Sequence, residues 1–107
     1  MNEKLLSSLS MARGAGKLKI GHDAAVDALR AGAPLAVAAS DASERTRNDI
    51  LMVCEEEHHE LITLDATQDD ILVKFGKRFA VAAVTDPNFA ALIKKNHTVE
   101  QEESNDH

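Results

Sequence analysis

Three groupings of residues in this 107-residue chain have types and spacings that could do chemistry. The first is Gly14-Ala15-Gly16-Lys17, where glycines ahead of a lysine could cradle a phosphate. A nucleotide-cleaving loop needs another glycine five positions before Gly16 and a hydroxyl after the lysine; the chain has Met11 and Leu18 there. A dinucleotide fingerprint needs its third glycine where Lys19 stands, and no strand precedes the motif. The tetrapeptide therefore reads as a helix stop followed by a turn. The second grouping is Cys54, His58 and His59. Cys54 and His58 stand four apart, a spacing that lets two side chains on one helix share a metal. A structural zinc site takes four ligands, however, and Cys54 falls on the apolar face of its segment. A buried thiol beside solvated imidazoles fits better, so neither a metal nor a cofactor is expected. No Ser, His and acid trio has a spacing that points to nucleophilic catalysis, and the chain is not expected to be an enzyme.

The third grouping is basic. Arg13, Lys17 and Lys19 surround the first glycine turn, and Lys74, Lys77 and Arg78 surround Gly76. If these two loops meet in space, they form an electropositive rim around the start of the second helix. Phosphate contacts need such charges, and free backbone amides at a helix N-terminus add to them.

The elements that must position these residues follow from periodicity. Leu5, Leu6, Leu9 and Ala12 recur at helical spacing until the glycines break the pattern. A short extended piece over Leu18–Ile20 follows, then a helix over residues 21–31 with Ala25, Ala28 and Leu29 as its apolar stripe and Gly32 as its stop. Residues 35–39 form a continuous apolar run, as in a strand buried on both faces. Asp41 or Ser43 caps a third helix carrying Ile50, Val53 and Cys54 on one side. Residues 61–64 read as another strand. Thr67 and Asp70 stand as in a capping box and open a short helix through Lys74. Residues 79–84 form the next apolar run, and Asp86-Pro87 starts a last helix that buries Phe89, Leu92 and Ile93. Helices alternating with buried strands imply a three-layer α/β/α domain over residues 1–96. Residues 97–107 are expected to be an acidic, disordered tail.

Composition bounds the function. There is one cysteine, which excludes a disulfide framework and fits a reducing, cytoplasmic setting. The only aromatics are Phe75, Phe79 and Phe89, so the core must be aliphatic. No apolar run approaches the ~20 residues a membrane span needs, and no membrane partner is expected. The net charge of −6, taken alone, argues against a nucleic-acid binder. Its distribution changes that reading: Glu100, Glu102, Glu103 and Asp106 lie in residues 99–107, which hold no Lys or Arg, so residues 1–98 carry only −2.

Several strings go beyond composition. Ala15-Gly16-Lys17-Leu18-Lys19-Ile20-Gly21, then Ala28-Leu29-Arg30 and Gly32, and the run from Leu35 through Ser40-Asp41-Ala42-Ser43-Glu44-Arg45-Thr46 are the first of them. Gly76-Lys77, the apolar run ending at Val84, and Thr85-Asp86-Pro87-Asn88-Phe89 complete the set. Together they resemble the kink-turn RNA-binding ribosomal protein family of the seven-Ae and thirty-e type, especially its small bacterial branch, over residues 3–95. The resemblance implies an α/β/α sandwich with a four-stranded mixed sheet and a non-enzymatic, ribosome-associated or regulatory RNA-binding role. Its partner would be a structured RNA, a kink-turn or similar, and not DNA, bound by a monomer. Carried over by position, it implies an RNA-contacting set of Gly16, Lys17, Lys19, Gly21, His22, Asp23, Ala24 and Asp27, with Lys77, Arg78, Phe79 and Ala80 in the loop before the last strand. Where that family carries Asn or Lys, then Glu or Gln, this chain has Asp23 and Ala24, and Asp27 replaces its usual Lys. Those exchanges favour an alternative: a protein-interaction module that keeps the scaffold and has lost kink-turn binding.

Overall fold

The computed structural model describes the backbone of residues 3–104 and the side chains of residues 3–97. The elements run α1 (Glu3–Gly14), β1 (Leu18–Ile20), α2 (His22–Arg30), β2 (Leu35–Ala38), α3 (Glu44–Glu57), β3 (Glu60–Thr63), α4 (Gln68–Phe75), β4 (Val81–Val84) and α5 (Pro87–Ser104). The four strands lie in the order β1-β4-β2-β3. β4 pairs antiparallel with both β1 and β2, whereas β2 and β3 are parallel, joined by the α3 crossover. The chain is thus a three-layer α/β/α sandwich around a four-stranded mixed sheet, as expected.

The alternation of strand side chains builds two different cores. Leu35 and Val37 of β2 and Ala82 and Val84 of β4 face α1, α4 and α5, where they meet Leu5, Leu6, Leu9, Ile71, Phe75 and Ile93. Ala36 and Ala38, with Val81 and Ala83, face α2 and α3 and meet Ala25, Leu29, Ile50, Val53 and Cys54. The second face of the sheet is mostly alanine, so α2 and α3 can sit close to the strands. Both central strands are buried at every position, which is why they appear in the sequence as unbroken apolar runs.

The boundaries correct several expectations by a residue or two. Ser43, not Asp41, caps α3: its Oγ accepts from the Thr46 amide at 3.1 Å. Asp41 instead ties two loops together, accepting from the Gln68 amide at 2.9 Å. The Thr67/Asp70 capping box forms in both directions. β4 begins at Val81, so Phe79 and Ala80 belong to the preceding loop although Phe79 is buried. The α5 backbone runs to Ser104, and the charged side chains of the acidic tail lie outside the described residues. No helix among the described residues is long and apolar enough to cross a membrane.

Candidate functional site

Strand order brings four connections to one end of the sheet: the exit of β1 into α2, the exit of β2 into α3, the exit of β3 into α4 and the entry to β4. The joint between β1 and α2 is a single residue. Gly21 has φ 106° and ψ 159°, a backbone region essentially closed to residues with a Cβ. Its amide donates to the Val81 carbonyl at 3.0 Å, continuing the β1–β4 ladder, while its own carbonyl accepts from the Ala25 amide at 2.9 Å and opens the helix. One residue therefore ends a strand and starts a helix. No side chain caps α2, so the amides that follow Gly21 have no side-chain acceptor. Such amides carry the positive end of the helix dipole and are a natural seat for an anion.

The side chains around those amides are mixed in sign. His22 is half-exposed and lies between two carboxylates: its Nδ1 is 3.0 Å from Asp23 Oδ1, and its Nε2 is 3.5 Å from Asp49 Oδ2 on α3. Asp23 is fully exposed, and Ala24 and Asp27 also face solvent. Ala25 and Leu29, on the opposite side of α2, are completely buried and anchor the helix on the sheet.

The loop before β4 sits at the same sheet end. Gly76 closes α4 in the left-handed region at φ 74°, donating to the Leu72 carbonyl at 2.8 Å. Lys77 is exposed and has no ion-pair partner among the described residues. Arg78 folds back onto Asp69, in the first turn of α4. Phe79 is buried, its ring tilted against that of Phe75 with centroids 5.7 Å apart, and so fixes the loop from beneath. The Ala80 carbonyl accepts from the Ala39 amide at 2.8 Å, which binds the loop to the exit of β2. Arg13 reaches in from α1 and donates to the Phe75 carbonyl at 2.5 Å, satisfying an acceptor left open at the helix C-terminus.

Gly21, His22, Asp23 and Ala24 thus share one sheet end with Lys77, Arg78, Phe79 and Ala80, whereas Asp27 lies a turn further along α2, where its carbonyl already accepts from the Ala31 amide that ends the helix. Lys19 stands beside them on the β1 edge, exposed and on the opposite strand face from Leu18 and Ile20, which pack toward α1. Gly16 and Lys17 are placed differently. The Lys17 carbonyl accepts from the Thr85 amide at 2.9 Å, beyond the far end of β4. Three residues of extended chain, four steps spanning roughly 13 Å, separate Lys17 from Gly21. Of the first basic grouping it is Arg13 that reaches the second, and it spends its guanidinium on a backbone carbonyl.

Two residues with a part in this geometry carried no sequence signal, Asp49 and Asp69. Asp49 is separated from His22 by the rest of α2, two loops and β2, and Asp69 precedes Arg78 by nine positions, a separation that no helix or strand period singles out. Cys54 lies elsewhere, buried under α3 with its Sγ 3.8 Å from the Glu60 carbonyl. Burial, and secondarily the charge of Glu55, pushes its thiol up to about 11. His58 takes the left-handed position that ends α3. Among the described residues no group of three or more His, Cys, Asp or Glu is placed to hold a metal ion.

No family model matches this chain, and no curated protein sequence does either. Solved structures do. A Bacillus halodurans protein of unknown function superposes with a TM-score of 0.82 at 25% identity, covering 89% of this chain and 97% of that one. A 15.5 kD RNA-binding protein of Giardia lamblia superposes with a TM-score of 0.72 at 14% identity, covering 90% of this chain and 83% of the other. At those identities the likeness is one of fold.

Proposed function

We propose that this chain is a non-enzymatic RNA-binding protein of the kink-turn type, ribosome-associated or regulatory, acting in the cytoplasm on a structured RNA. The observation that carries the reading is the joint at Gly21: an uncapped helix start beside the loop of residues 77–80, at one sheet end. The fold shared with an RNA-binding protein of Giardia lamblia supports it. Sharply bent RNA exposes unstacked base edges and crowds phosphates, and a small rigid domain reads that shape. In this reading the sugar-phosphate backbone approaches Gly21, where no side chain stands in the way. The open amides of α2 and the His22 ring meet base edges or phosphate. Lys19 and Lys77 supply charge, and Phe79 holds the loop of residues 77–80 in place for an unstacked nucleotide to rest on.

One set of side chains favours a second reading, a protein-interaction module on the same scaffold. Asp23 and Asp49 put two carboxylates at the start of α2, where RNA would bring phosphates, and Asp27 adds a third a turn further along the helix. Like charge there weakens RNA binding and would suit a basic partner. A titration by calorimetry or gel shift separates the two. The RNA reading expects tighter binding to a kink-turn RNA than to a plain duplex of equal length, with affinity falling steeply as salt rises. Equal affinity for the two RNAs would overturn it and leave the interaction module.

A further inference from the structure

We infer that Asp69 is an affinity-setting residue of the candidate RNA interface: in the free protein its carboxylate occupies the Arg78 guanidinium that a phosphate would otherwise take. The inference rests on the RNA reading above and concerns which charges at that interface are available. Arg78 is the only arginine in the loop of residues 76–80 and is about half exposed, well placed to meet a phosphate. Its guanidinium, however, already has a partner. Asp69 lies in the first turn of α4 and the guanidinium donates to its Oδ1.

The fold holds this pair in register from both sides. The capping box of Thr67 and Asp70 fixes the α4 start, leaving Asp69 with no capping duty. At the other end, the left-handed turn at Gly76, the Phe75–Phe79 ring contact and the bond from Arg13 to the Phe75 carbonyl return the chain toward the α4 start. The α4 start and the loop that carries Arg78 are thus each held in place, with the two exposed side chains within reach of one another. A carboxylate and a phosphate offer a guanidinium the same pair of anionic oxygens. Any phosphate that uses Arg78 must displace Asp69 or share the guanidinium with it.

Removing the carboxylate should therefore tighten binding, and the gain should depend on Arg78. An exposed ion pair of this kind is worth little in water, so the expected gain is about two- to fivefold. The test uses the full chain as wild type, Asp69→Asn, Arg78→Gln and the double variant, each titrated with a kink-turn RNA and with a plain duplex at low salt. The inference expects Asp69→Asn to bind more tightly than wild type, Arg78→Gln to bind more weakly, and Asp69→Asn to bring no gain in the Arg78→Gln background. Equal affinities of wild type and Asp69→Asn, with kink-turn preference retained, would overturn the inference and leave the RNA reading standing. A gain that persists without Arg78 would also overturn it, assigning the effect to net charge alone. An Arg78-dependent gain on both RNAs with no kink-turn preference would remove the kink-turn reading and keep the ion-pair competition. Absence of binding by every variant would remove both. Far-ultraviolet circular dichroism and thermal melting on each variant check that the overall fold is retained.

Discussion

Replacing Gly21 with alanine tests the joint on which the site depends. The added methyl would meet no atom within 4 Å, so steric crowding predicts no effect at all. The backbone predicts otherwise. At φ 106° and ψ 159° a residue with a Cβ is strained by about 1–3 kcal/mol. The chain can escape that strain only by rotating φ, which would break the Gly21 amide's bond to Val81 or the Ala25 amide's bond to Gly21. Losing one such bond costs about 1 kcal/mol, so neither route is free. Unfolding in urea should register a loss of about 1–3 kcal/mol, and the melting temperature should fall by roughly 4–8 °C per kcal/mol for a domain of this size. Gly14 provides the control. It is the last residue of α1, lacks a positive φ and also has open space where a Cβ would go, so Gly14→Ala should stabilise by about 0.4–1 kcal/mol. If Gly21→Ala and Gly14→Ala behave alike, the strand-to-helix joint does not require glycine. The open amides at the start of α2 would then owe nothing to glycine.

Asp27→Lys exchanges one repulsion for one attraction; at ~8 Å through water each unit charge is worth about 0.5 kcal/mol, so affinity for a kink-turn RNA should rise roughly fivefold at low salt. The gain should shrink as salt screens it, and an unchanged binding constant would place the RNA away from α2. Cys54 predicts an alkaline signature. Its folded thiol is raised from 9.0 to about 11, so between those values the unfolded chain has lost a proton that the folded chain still holds. Stability should accordingly fall as pH rises through that window and be independent of this group below it, read as wild type against Cys54→Ala in urea titrations. The same thiol should react slowly with a disulfide reagent at neutral pH and rapidly once the chain is unfolded. Thr67→Ala removes the acceptor of the Asp70 amide and should cost about 1 kcal/mol in urea unfolding. A negligible change would mean that the α4 start is held by the Gln68–Asp41 bond instead.

Local chemistry was well written in the sequence, and its failures have a common cause. The capping box at Thr67 and Asp70 was legible because both partners lie within one turn. The buried run at β2 was legible because both faces of a central strand are apolar. Phe79 misled: an apolar run reports burial, not ladder pairing, and Phe79 is buried in the loop before pairing begins at Val81. Grouping the basic residues by type placed Lys17 with the site, whereas the β1–β4 register puts it beyond the far end of β4. Arg78 was counted as free charge, although a residue nine positions away already holds it.

By itself, the sequence determined the elements and the two-faced burial of the central strands. Period and capping act over a few residues, and each segment states its own pattern. It also put glycine between β1 and α2, the one residue type that the joint tolerates. Only the tertiary structure decided which connections share a sheet end. That follows from the order β1-β4-β2-β3, which pairs segments more than 60 residues apart and is written in no local period. The charge available to a ligand was also settled by folding, because His22 meets Asp49 only after α2 and α3 have docked on the sheet, and Arg78 meets Asp69 only once the Gly76 turn carries the chain back toward the α4 start.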